Sequence, residues 1–117
     1  MSTDTIAAVL VAPDGTVRPV HLPAESDAQF TTLAQLLGCH APGVVPLTSR
    51  LDLWHDDDAL LTAPPINHAA TTLTERFGHR RYQPYLGTVV LTARGDDTWA
   101  MRSVPAGLAT HLAELTR

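Results

Sequence analysis

Histidine, aspartate and a lone cysteine are the residues through which this sequence could do chemistry. Its six histidines are His21, His40, His55, His68, His79 and His111, and none falls at the short paired spacing of a preformed zinc site. A metal centre would have to assemble in space. His55, Asp57 and His68, on connections flanking one short segment, are the set that could do so, which would make the chain a metal-assisted enzyme. The run Asp56-Asp57-Asp58 lacks the spaced carboxylates, the glycine and the distal glutamate of a calcium loop, so a solvated turn is expected there. Cys39 has His40 beside it. It follows a helix carboxyl end, however, where the dipole disfavours a thiolate, and packing rather than catalysis is expected.

Binding residues are suggested at two further places. Asn67 can cap a helix behind Pro64-Pro65, and the exposed amides of that first turn, with His68 and Thr71 nearby, could hold an anion. The loop His79-Arg80-Arg81-Tyr82, preceded by Arg76, concentrates positive charge with an aromatic ring. Arginine pairs phosphate bidentately and tyrosine stacks on bases, so Arg76, Arg80, Arg81 and Tyr82 form a candidate nucleic-acid or anionic-partner contact.

Composition removes several classes. The chain has 117 residues, 44% hydrophobic and 17% charged, with a net charge of −4. That supports one folded domain and argues against strong general affinity for nucleic acid. All eight basic residues are arginines, so lysine Schiff bases and Walker-type loops are excluded. There is no nucleophile-elbow motif and no glycine-rich dinucleotide fingerprint, and no cofactor is called for. A single cysteine allows no internal disulfide. No apolar run approaches the roughly 18 to 20 residues that span a bilayer, and the start lacks the positive charge of a secretory signal, so a cytoplasmic protein without membrane contact is expected.

The elements that must position these residues follow from periodicity. Residues 5–12 and 16–22 read as strands joined by Pro13-Asp14-Gly15, with Pro19 confining the second to a sheet margin. Ser26 and Gln29 form a capping box for a helix with Phe30, Leu33, Ala34 and Leu37 inward, closed by Gly38. Residues 44–47 and 51–55 read as a second hairpin. A helix capped by Asn67 presents Ala70, Leu73 and Phe77 to the core, residues 86–93 form the central strand, residues 98–101 pair back, and a last helix starts at Ser103. The expected architecture is α+β, in the order ββαββαββα: a mostly antiparallel sheet of about five or six strands, with three helices packed on one face.

Asp52-Leu53-Trp54, then Pro65, Asn67-x-x-Ala70-Thr71-x-Leu73, then Gly87-Thr88-Val89-Val90 occur in that order, after Val9-Leu10-Val11 and a Pro-Asp-Gly turn. This pattern resembles the domain-of-unknown-function 3846 family. The resemblance implies a small protein of the kind carried by actinobacteria, other bacteria, phages and mobile elements, and it implies no activity. The family often has an acidic turn ending in glycine and lysine, where this chain has Asp57-Asp58-Ala59.

Every chemically suggestive residue therefore has an adequate structural explanation, and opposed surface charges remain. The expectation is a noncatalytic binding or regulatory accessory protein with an unidentified protein partner. The metal-assisted enzyme and the nucleic-acid module stand as alternatives.

Overall fold

The central strands explain the architecture. Val9-Leu10-Val11 and Val89-Val90-Leu91 are apolar at every position, and such runs are stable as strands only where both sheet faces are covered. The computed structural model, which describes residues 4–79, 83–95 and 100–116, shows that arrangement. Its strands are β1 (Thr5–Val11), β2 (Val17–Pro23), β3 (Pro42–Pro46), β4 (Leu51–Asp56), β5 (Val89–Arg94) and β6 (Met101–Arg102). Its helices are α1 (Ser26–Leu37), α2 (Ala59–Thr62), α3 (His68–Arg76) and α4 (Leu108–Leu115). The α+β class and the order of the long elements are as expected, with the one-turn α2 added.

All strand pairs are antiparallel, in the order β2-β1-β5-β4-β3. β5 sits at the centre. β1 pairs with its first half, Val89 to Leu91, and β6 takes over the same edge at Ala93 and Arg94. The chain then passes back beside β1: the Ser103 hydroxyl oxygen accepts from the Ala7 amide at 2.9 Å, and the Val104 amide donates to the Ala7 carbonyl. Both margins carry proline, Pro19 within β2 and Pro42 and Pro46 at the ends of β3.

The helices lie on both faces of the sheet, which corrects the one-face expectation. Val9, Val11, Leu53, Val89 and Leu91 point to one side and pack with Ala70 and Leu73 of α3 and Leu112 of α4. Ala8, Leu10, Val20, Trp54 and Val90 point to the other and pack with Leu33 and Leu37 of α1. Residues one apart alternate faces, so the unbroken runs feed two cores at once.

Two helix starts also differ. The N-cap of α1 is Glu25, whose carboxylate accepts from the Asp27 and Ala28 amides at 3.0 and 2.9 Å. Gln29 instead donates to the Pro23 carbonyl. The longer glutamate reaches two orphan amides where a serine would reach one. α4 begins at Leu108 after Gly107 rather than at Ser103, because Ser103 and Val104 are spent against β1. Gly38, with φ of 69°, closes α1 as expected.

Candidate functional site

β3 and β4 pair so that Gly43 lies directly opposite His55, and this register builds the most chemically distinctive place on the molecule. A Cβ on Gly43 would come within 2.9 Å of Asp57 Oδ1, 3.1 Å of His55 Cε1 and 3.2 Å of His55 Nε2. The missing side chain is what lets an imidazole and a carboxylate converge there. His55 also stacks at a tilt on Tyr85, with ring centroids 5.8 Å apart. These groups open into a cleft of about 100 Å³, walled by Ala59 and Leu60 of α2 and by Gln83, Pro84 and Leu86.

The hydrogen bonding of His55 sets what the cleft presents. Its Nδ1 lies 3.3 Å from the Asp56 carbonyl oxygen. A carbonyl only accepts, so Nδ1 is the donor in this contact. Asp57 adds carboxylate oxygens beside it. Among the described residues neither Asp57 nor Asp58 is paired with a cation.

The triple-aspartate turn is not uniformly solvated, contrary to expectation. Asp56 is buried and accepts from the Asp58 amide at 2.9 Å, an Asx-type turn that starts α2. Asp57 and Asp58 are exposed. α2 then ends at Ala63, whose left-handed φ of 48° precedes Pro64-Pro65. One helical turn cannot bury two adjacent leucines: Leu60 is 69% and Leu61 84% exposed. Ile66, bridged to Leu86 of the cleft wall, is 44% exposed. The sequence reading passed over this pair, although a double leucine trapped between an aspartate turn and a double proline is a signal for it.

The expected metal set does not assemble. His55 and Asp57 share the cleft, but His68 opens onto a different depression, beside Asp14 and Thr116. Among the described residues, no group of three or more histidine, cysteine or acidic side chains is placed to hold a metal ion. Cys39 remains a packed thiol, its pKa pushed up by burial and by the nearby charges of Asp56 and Asp58, against a hydrogen bond from the Ala41 amide.

The other candidates fall in three places. Asn67 is fully buried: its side-chain amide donates to the Val11 and Gly87 carbonyls and its oxygen caps Ala70. Thr71 donates its hydroxyl to the Asn67 carbonyl and accepts from the Tyr85 amide. Both residues therefore position the start of α3, and of the three candidates there His68 is the exposed one. Arg76 is exposed in the last turn of α3; Arg80, Arg81 and Tyr82 lie outside the described residues. His79, just before them, donates through Nε2 to the Leu47 carbonyl at 2.6 Å.

The family model for the domain of unknown function DUF3846 matches residues 6–117. The chain belongs to the DUF3846 family. Neither the curated proteins nor the solved structures contain a match to this DUF3846 chain. Its site must therefore be read from its own residues. Every buried side-chain nitrogen and oxygen among the described residues has a hydrogen-bond partner. No helix among them is long and apolar enough to cross a membrane.

Proposed function

We propose that this DUF3846 protein is a noncatalytic binding or regulatory accessory protein, working in the cytoplasm of an actinobacterial or phage-related host and associated with mobile elements. It acts through the surface formed by α2 and the aspartate turn. The observation that carries the reading is the exposure of Leu60 and Leu61 next to the carboxylates of Asp57 and Asp58, which have no cationic partner among the described residues. Apolar side chains left in water at a site edged by charge are the composition of an interaction surface.

The catalytic alternative draws less support, since His55 and Asp57 lack the third ligand that His68 was expected to bring. The nucleic-acid alternative rests on Arg76 together with residues outside the described set.

Site-specific photo-crosslinking tests the proposal. A photoreactive residue at Leu61 is expected to give a defined protein adduct in cells, and the same residue at exposed Thr31 of α1 is not. Equal labelling from both positions, or none from position 61, would overturn it.

A further inference from the structure

We infer that the cleft beside α2 receives a cationic side chain, arginine or lysine, from an apolar segment of a partner protein, with the segment's apolar residues lying on Leu60, Leu61 and Ile66. The inference rests on the binding reading above and names the chemistry of the partner. Three observations lead to it.

The first is the hydrogen-bonding character of the cleft floor. Asp57 Oδ1 and the His55 ring converge over Gly43, and both residues line the cleft, to which the carboxylate brings acceptor oxygens. A guanidinium or ammonium group supplies several donors and no acceptor, and so complements that carboxylate.

The second is charge. Asp57 and Asp58 are exposed and have no cationic partner among the described residues. A second copy docking through the same patch would bring these carboxylates face to face, which costs binding energy. A basic partner gains from the same charges.

The third is size and surroundings. A cleft of about 100 Å³ accommodates the head group of one side chain and is too small for a nucleotide. Around it Leu60 forms one wall, Leu86 another, and Ile66 bridges to Leu86. A cation flanked by apolar residues would place its charge in the cleft and its neighbours on the leucines, the pattern of an anchor residue within a hydrophobic rim.

The test titrates the isotope-labelled full chain with three short capped peptides, one of leucine and arginine, one with glutamate replacing arginine, and one with serine replacing leucine. The leucine–arginine peptide is expected to move the amide resonances of residues 55–61 and 83–86. Its affinity should fall by about tenfold or more in Asp57→Asn and in the Leu60→Ser, Leu61→Ser double variant. If the glutamate peptide binds there equally well, the cationic partner is wrong although the docking surface stands. If no peptide moves these resonances, both are wrong. Saturation of His55 and Asp57 by zinc that blocks the peptide would establish a metal site instead. Shifts of the same resonances with protein concentration alone would establish self-association instead.

Discussion

Asn67 Nδ2 donates to the carbonyl of Val11, 2.9 Å away and 56 residues earlier in the chain, and so ties the start of α3 to the end of β1. The same nitrogen donates to Gly87 at 2.8 Å, just before β5. One buried amide thus fixes a helix against the approach to two neighbouring strands. Replacing Asn67 by alanine strands two buried carbonyls and uncaps Ala70. Asn67→Ala is expected to cost about 2 to 5 kcal/mol in urea unfolding. Asn67→Asp keeps the cap but sets a carboxylate against two carbonyls, and should be similarly damaging near neutral pH.

The exposed leucines should matter little to folding. Leu60→Ser with Leu61→Ser is expected to change unfolding free energy by less than about 1 kcal/mol, since neither side chain is buried. A large loss of stability in the double variant would mean that α2 packs on the domain, contrary to the surface described for it.

Gly43 is expected to tolerate alanine only with displacement of its neighbours. The new methyl meets the half-buried His55 ring and the tip of Asp57, and of the two only the carboxylate can move aside cheaply. Gly43→Ala should cost about 1 to 2 kcal/mol and shift the ring resonances of His55 and Tyr85, while signals from α4 stay in place.

Asp52 offers a test by pH. Its carboxylate meets the Arg94 guanidinium at 2.9 Å, yet burial pushes its pKa above the ordinary 3.8 and the arginine offsets only part of that. With the folded pKa raised, the native state holds the proton more tightly than the unfolded chain does. The stabilisation is complete below pH 3.8 and declines as pH rises through the folded pKa. Relative to Asp52→Asn, the natural protein should therefore lose stability on going from that pH toward neutrality. A difference that instead grows with pH would show that the arginine outweighs burial.

Cys39 should react slowly with thiol reagents. Its raised pKa keeps it protonated near neutral pH, so alkylation of the native protein at pH 8 is expected to lag the rate in urea, and to approach it only in more alkaline solution.

Local chemistry was the readable part of this sequence. The Pro-Asp-Gly hairpin, the marginal place of Pro19, the Gly38 cap and the Asn67 cap each depend on neighbours within a few residues, and each stands in the structure. The placement of helices was encoded in Val9-Leu10-Val11 and Val89-Val90-Leu91, where absence of alternation means two covered faces. The cleft was not readable in the same way. His55 and Asp57 were recognisable as a pair, but their meeting over Gly43 depends on a strand register. The wall from Gln83 to Leu86 arrives from nearly thirty residues further along. Asn67 looked like a surface cap because its two long-range acceptors are invisible from its neighbours.

The prolines at the sheet margins have a consequence for the chain in a crowded cell. A bare strand edge is a template on which another polypeptide can extend the sheet, and repeated extension leads to fibres. Proline has no amide hydrogen to offer such an incoming strand, so Pro19, Pro42 and Pro46 interrupt the ladder on both flanks. The domain can thus keep apolar leucines in water on a helix while its β-structure stays closed to runaway polymerisation.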